Sequence, residues 1–200
     1  MPKALVALGD RTILDWSVAV FRDHPDITEV IVVAPAEAAE SLALRLQLPV
    51  VPGGVTRTDS VQRGLTALSD DAEYVLVHDA ARPFVPARVI TDVVAALRSG
   101  VDAAIPVLPM IDTVKQIDSD DDVAATVARE ELRRVQTPQG FRVKVLQAAY
   151  QALGDGVLTD DAGVVEAAGG RVRVVEGDEE SFKITTPHDL RIAELLVAGR

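Results

Sequence analysis

Tyr74-Val75-Leu76-Val77 runs directly into His78-Asp79-Ala80-Ala81-Arg82-Pro83. A carboxylate, two small residues and a guanidinium therefore stand where a buried strand ends. In open α/β sheets the carboxyl ends of the strands form the crevice that binds ligands. Asp79 is suited to hold hydroxyls or a cation, Ala80 and Ala81 admit a ligand close to the backbone, and Arg82 can fork onto a phosphate. A structural Asp–Arg pair in a loop gives the same pattern, since ion-pair networks resemble sites.

Gly53-Gly54-Val55-Thr56-Arg57-Thr58-Asp59-Ser60 is a glycine turn leading into a helix start. Its free N–H groups suit an anion or a base carbonyl, although strand–Gly-Gly–helix is also an ordinary connection. No Gly-Lys-Ser/Thr follows, so it is not a Walker loop. Lys183 lies in Ser181-Phe182-Lys183-Ile184-Thr185, read as an apolar strand, and points either at a site or, snorkelling, at solvent. Arg129, Arg133, Arg134 and Lys115 bring positive charge to one segment, either for a ligand or as part of a mixed-charge surface. His24, His78 and His188 form no i, i+4 metal pair, and His78 reads equally as a packing residue or a proton carrier. No Ser–His–carboxylate spacing is present. Cations and hydroxyl-binding carboxylates without an evident nucleophile suit phosphoryl or nucleotidyl transfer, where catalysis is mostly positioning and charge stabilisation.

The totals narrow the classes. With 200 residues, 48% hydrophobic and 26% charged, the chain can bury a sizeable core as one domain spanning residues 1–200. A net charge of −11 and only 4% aromatic residues argue against a nucleic-acid partner. A small anionic substrate held by a few local cations remains compatible. Zero cysteines remove disulfides, thiolate metal sites and cysteine nucleophiles. No apolar run is long enough for a membrane span, and MPKALVALGDR lacks the layout of a signal peptide, so a cytoplasmic protein without a membrane partner is expected.

Strand and helix patterns alternate almost throughout. Helices are expected at residues 12–21 (N-cap Thr12), 36–48, 59–68, 86–98, 142–153, 160–168 and 187–198. Strands are expected at 29–34, 49–52, 74–77, 103–108, 171–175 and 182–185. This alternation implies an α/β fold with a mostly parallel, doubly wound sheet. Between 112 and 141 it falters. Two extended pieces around Asp118-Ser119-Asp120-Asp121-Asp122 read as a hairpin arm with a solvated tip, since the acidic run lacks the glycine and distal glutamate of a calcium loop. Thr137-Pro138-Gln139-Gly140 reads as a turn. An isolated hairpin is marginal in water, so the arm is expected to be covered by a partner.

Seven motifs, taken in order, resemble the 2-C-methyl-D-erythritol 4-phosphate cytidylyltransferase family of the non-mevalonate isoprenoid pathway. They are Pro2-Lys3-Ala4-Leu5, Gly53-Gly54 with Arg57-Thr58-Asp59-Ser60-Val61, His78-Asp79-Ala80-Ala81-Arg82-Pro83, Asp112-Thr113-Val114-Lys115, Thr137-Pro138-Gln139 with Phe141, Thr159-Asp160-Asp161-Ala162, and Phe182-Lys183-Ile184-Thr185. The resemblance implies a Rossmann-like nucleotidyltransferase fold with a dimerising β-arm at about 112–141. It implies transfer of CMP from CTP to a sugar-alcohol phosphate, releasing diphosphate, with Mg2+ bound mainly through the CTP phosphates and no metal ligand set in the chain. Carried over by position, Lys3, Lys183 and Arg129 are catalytic. Gly53, Gly54, Ser60, Asp79 and Ala80 bind the nucleotide. Asp79, Arg82, Thr113, Arg129, Thr137, Thr159 and Lys183 bind the methylerythritol phosphate, with Thr113, Arg129 and Thr137 reaching it from the partner subunit of a homodimer.

Two departures qualify the resemblance. Val55 stands where the family often has an acidic residue touching the base. The family's opening strand and glycine-rich loop, roughly P-A-A-G-x-G-x-R, would lie upstream of Pro2-Lys3. The reading therefore expects roughly 15–25 further residues ahead of Met1, a βα opening of ordinary length, and a frayed Lys3 without them. Two alternatives stand beside the main reading: a ribitol-5-phosphate cytidylyltransferase of the same architecture, and a catalytically silent nucleotide-binding or dimerising module.

Overall fold

Thr12 starts the first long helix by a reciprocal cap, its side chain accepting from the Asp15 N–H while the Asp15 carboxylate accepts from the Thr12 N–H. The same capping box recurs at Thr56 with Asp59 and at Thr186 with Asp189, each satisfying helix-end donors that have no intrahelical partner. These devices sit in a computed structural model that describes residues 3–154 and 158–199; Pro2 of the first motif lies outside the described residues.

In chain order the strands are β1 (Ala7–Leu8), β2 (Arg11–Thr12), β3 (Val32–Ala34), β4 (Val50–Pro52), β5 (Tyr74–Val77), β6 (Ala103–Pro109), β7 (Val114–Ile117), β8 (Val123–Val127), β9 (Arg133–Val135), β10 (Gln139–Arg142) and β11 (Val172–Glu176). The helices are α1 (Ile13–Arg22), α2 (Ala36–Leu46), α3 (Arg57–Thr66), α4 (Ala87–Arg98), α5 (Val143–Leu153), α6 (Asp161–Ala167) and α7 (Pro187–Ala198). The main sheet runs β11-β6-β10-β5, with β9 also on β6, and β3 pairs with β4 separately. The α/β class is as expected, but the sheet is mixed. β10 runs antiparallel to both β5 and β6, while β11 is parallel to β6.

Strand β10 corrects the turn expected at Thr137–Gly140. The segment is in the sheet because Gln139 pairs with Val77, and Gly140 with Leu76 on one side and Ala104 on the other. Gly140 also lets α4 close onto the sheet: a Cβ there would lie 2.4 Å from Val93 Cγ1. The expected strand at 29–34 is hydrogen-bonded only over Val32–Ala34, because β4 offers only three partners. The expected strand at 182–185 has no ladder; Ile184 N–H donates to Ala81 O at 2.9 Å, and the segment is extended without a strand partner. The segment from 112 to 141 divides. β7 and β8 pair only with each other, whereas β9 and β10 belong to the main sheet.

Buried side chains fill both sides of this frame. Phe141 of β10 packs against Leu146 and Tyr150 of α5 and Val165 of α6, and Leu8, Ile13, Phe84 and Ile184 join α1 to the 182–185 segment. Between β3 and β5 lies an apolar slot of about 690 Å3 walled by Leu14, Val18, Val32, Leu65 and Leu76. Among the described residues no helix is long and apolar enough to cross a membrane.

Candidate active site

The loop after β5 is pinned by a neutral histidine. His78 Nε2 lies 3.1 Å from Arg82 O, which can only accept, so this nitrogen carries the proton. Nδ1 then accepts from Thr137 Oγ1 at 2.9 Å, and Thr137 Oγ1 in turn accepts from the Asp79 N–H at 3.1 Å. Burial, partly against the Phe21 ring, lowers the imidazole pKa to about 4, in keeping with this single tautomer. The packing reading of His78 therefore holds, and both its nitrogens are occupied.

That pin aims Asp79 into a second cavity of about 490 Å3, lined also by Arg57, Arg82, Thr137, Gln139, Thr159, Asp160 and Lys183. Asp79 Oδ2 is 3.0 Å from Lys183 Nζ and 3.6 Å from Arg82 Nε. Burial alone would raise the Asp79 pKa, but the Lys183 hydrogen bond and the charges of Lys183 and Arg82 outweigh it, so the carboxylate is held below its usual range. Arg82 also donates from Nη1 to Ser181 O at 2.7 Å, while its buried Nε has no hydrogen-bond partner. Lys183 reaches the cavity because its neighbours turn inward: Phe182 and Ile184 pack with Leu8, Ile13 and Phe84. Lys3 opens a 3₁₀ turn and its Nζ donates to Thr185 O at 3.0 Å, so two ammonium groups serve one short segment. The frayed Lys3 is thereby corrected, because this bond and the turn tie it down.

The remaining walls are cross-linked through buried amides. Gln139 donates from Nε2 to Asp160 Oδ2 at 2.8 Å, and its Oε1 accepts from Ala162 N–H at 3.1 Å, fixing the start of α6 to β10. Gln136 brackets Asp178 in the same manner, accepting from its N–H at 3.0 Å and donating to its carbonyl at 2.7 Å. Beside the larger cavity, Ser60 Oγ accepts from Gly54 N–H at 3.1 Å and donates to Thr56 O at 3.0 Å, so it shapes the turn. Gly54 is required there: an added Cβ would sit 2.1 Å from Asp59 Cβ. Gly53 is less constrained: a Cβ there would lie 3.0 Å from Ser60 Oγ, which could give way by a few tenths of an ångström. Ser60 and Ala80 line the larger cavity, whereas Val55 is 99% exposed and touches nothing that would position a base.

Of the residues expected in the site, Asp79, Arg82, Thr137, Thr159 and Lys183 line one cavity. Thr113 and Arg129 do not; both are exposed on or beside the β7–β8 hairpin, and Arg129 donates to Ile111 O. Thr137 cannot reach a partner subunit, because it is buried between β9 and β10 and bonded to His78 and Asp79 of its own chain. Lys115, Arg133 and Arg134 are engaged locally, with Thr126, with the carbonyls of Glu130 and Leu132, and with Glu179. Sequence reasoning left Arg57, Gln139 and Asp161 without a role. The available signal was a lone arginine opening the helix after the glycine pair.

An α/β sheet whose strand ends gather the Arg57 and Arg82 guanidinium groups, the Lys183 ammonium and the Asp79 and Asp160 carboxylates in one cavity, with Lys3 tied to Thr185 outside its lining, fits a nucleotidyltransferase. The 2-C-methyl-D-erythritol 4-phosphate cytidylyltransferase family pattern matches residues 1–199, and the chain belongs to that family. The protein of that name from Saccharopolyspora erythraea is 48% identical over 206 residues, covering 99% of this chain and 92% of the relative. The one from Rhodococcus jostii is 50% identical over 198 residues, covering 98% and 87%. The crystal structure of the Thermus thermophilus enzyme superposes with a TM-score of 0.86 at 42% identity, covering 98% of this chain and 94% of that one.

Proposed function

We propose that the chain transfers the cytidylyl group of CTP to 2-C-methyl-D-erythritol 4-phosphate, giving 4-diphosphocytidyl-2-C-methyl-D-erythritol and diphosphate for isoprenoid precursor synthesis. The observation that carries this reading is the convergence of Lys183, Arg82 and Asp79 on one cavity that Arg57, opening the helix after the Gly53-Gly54 turn, also lines. A phosphate oxygen of the sugar-alcohol substrate attacks the α-phosphorus, and the bond from that phosphorus to the bridging oxygen breaks with its electron pair going to diphosphate. The attacking phosphate is already ionised at neutral pH, so no general base is needed, which suits a histidine whose two nitrogens are both engaged. Lys183 aligns that phosphate, Lys3 offsets charge growing on the α-phosphate, and Asp79 and Arg82 receive the hydroxyls.

Magnesium fits as an ion held mainly by the triphosphate. Among the described residues no three metal-ligating side chains cluster, and Mg2+ ordinarily keeps several waters with one or two carboxylates plus phosphates. Asp79 would be the carboxylate to hold it, and the ion would supply charge neutralisation across the phosphates. A homodimer is the proposed assembly. The β7–β8 ribbon exposes Ile117 at 57% and Val123 at 62%, with Ile111 at 64% beside it, and a second copy covering it would carry Thr113 and Arg129 toward a neighbouring cavity. The absence of cysteine suits a reducing cytoplasm.

Side-by-side turnover of methylerythritol 4-phosphate and ribitol 5-phosphate with CTP tests the assignment. A kcat/KM at least a hundredfold higher for methylerythritol phosphate is expected; preference for the ribitol phosphate would overturn it.

A further inference from the structure

Asp161 is a wholly buried carboxylate, and three elements meet on it. Arg57 donates to it as a fork, Nη1 to Oδ1 at 2.9 Å and Nη2 to Oδ2 at 2.5 Å, and the Tyr150 hydroxyl donates to Oδ1. A buried charge persists only when paired and hydrogen-bonded on its remaining lone pairs, and these partners supply both. Burial lowers the Arg57 pKa, but the hydrogen bond and charge of Asp161 outweigh it and raise it overall; burial together with Asp161 raises that of Tyr150. Arg57 is the first residue of α3, three positions after Gly54. Asp161 is the first residue of α6, two positions after Thr159. The guanidinium thus spans from the turn expected to meet the nucleotide to the loop expected to meet the sugar phosphate. Arg57 and Asp79 both line the two cavities, so this bridge stands on their shared wall.

We propose that Arg57 is a positioning residue for cytidylyl transfer, anchored by Asp161 and Tyr150, that sets the spacing between the nucleotide turn and the loop carrying Thr159. The proposal rests on the cytidylyltransferase reading. A fork with two bonds fixes both distance and angle, which a lysine or a single hydrogen bond does not. In-line transfer depends on the two substrates meeting within a narrow range of geometry, so loosening the bridge should degrade both subsites together. Asp160 does not replace the brace, since its oxygens are taken by Gln139 and by the Gly163 N–H.

The test compares wild type with Arg57→Lys, Tyr150→Phe and the uncharged pair Arg57→Gln with Asp161→Asn. The readouts are KM for each substrate, kcat, and calorimetric binding of CTP with magnesium. Arg57→Lys and the double variant are expected to raise both KM values about tenfold, to lower kcat by a similar factor and to weaken CTP binding. Tyr150→Phe should give a smaller change in the same direction. The double variant removes the buried charge together with its partner, so it is expected to melt within a few degrees of wild type while remaining slow. A double variant with wild-type turnover, an Arg57→Lys enzyme within twofold of wild type in every parameter, or a rise in only one KM would each overturn the proposal. A wild-type enzyme that binds CTP but forms no cytidylyl product would instead refute the parent reading, and loss of CTP affinity in the variants still reports on the brace.

Discussion

Replacing Lys183 by alanine separates catalysis from folding. Its Nζ is 3.0 Å from Asp79 Oδ2, with 45% of the lysine side chain and 23% of the aspartate exposed. A pair so open to water contributes about 1 kcal/mol or less to stability, and Asp79 keeps Arg82 as a neighbour at 3.6 Å. The loss to the transition state is larger, because a preorganised cation facing developing phosphoryl charge is worth roughly 3 kcal/mol, on the order of a hundredfold in rate. Lys183→Ala should therefore lower kcat/KM about a hundredfold, measured by diphosphate release, while the melting temperature falls by only a few degrees. The Asp79 carboxyl, no longer bonded to an ammonium, should titrate higher than in the wild type. Turnover within threefold of wild type would refute the assignment of Lys183. A collapse in melting temperature would show that the pair holds the 182–185 segment rather than the substrate.

Three further outcomes follow from the geometry. His78 is held near a pKa of about 4 against 6.5 when unfolded, so its contribution is complete above pH 6.5 and lost as pH falls toward 4; at 1.36 kcal/mol per unit this is about 3 kcal/mol. Urea unfolding at several pH values between 4.5 and 7 should show that slope in the wild type and a flatter one in His78→Gln; identical slopes would contradict it. Gly54→Ala, with its Cβ 2.1 Å from Asp59 Cβ, should raise KM for CTP about tenfold and cost roughly 1–3 kcal/mol, whereas Val55→Ala should leave stability within about 0.5 kcal/mol; equal effects of the two would remove the turn from the site. Mixing the slow Arg129→Ala and Lys183→Ala subunits should raise activity well above either alone through one intact composite site per heterodimer, and no recovery after confirmed subunit exchange would show that Arg129 does not act across an interface.

What the sequence reveals depends on how local each signal is. The cap at Thr12 lies three residues from its partner Asp15, and α1, α4 and α7 fall within a residue or two of their expected bounds, whereas the helix expected from 59 starts at Arg57 behind its Thr56 cap. β5 and the Asp79 loop are legible because a short apolar run ends abruptly in polar residues. β10 is not, since a Pro-Gln-Gly string carries turn composition and becomes a strand only through Val77 and Ala104, far away in the chain. Thr137 reads as part of the arm for the same reason: its true partners, His78 and Asp79, are 59 and 58 positions away. Arg57 is visible as a residue but not as a bridge, because Asp161 is 104 positions on. Lys183 can be turned outward from the core by the alternation of Phe182 and Ile184, but that pattern leaves a site and solvent equally open, and only the fold brings Asp79 to its Nζ.

Phosphorus NMR of the enzyme with CTP, methylerythritol 4-phosphate and magnesium tests the central claim most directly. The α-phosphate of CTP and the sugar phosphate should disappear together, replaced by one coupled pair of diphosphodiester resonances and an equal amount of free diphosphate. That outcome should be about a hundredfold slower in Lys183→Ala at matched enzyme concentration. Release of CMP with the sugar phosphate unchanged, or no reaction with CTP and magnesium bound, would contradict it.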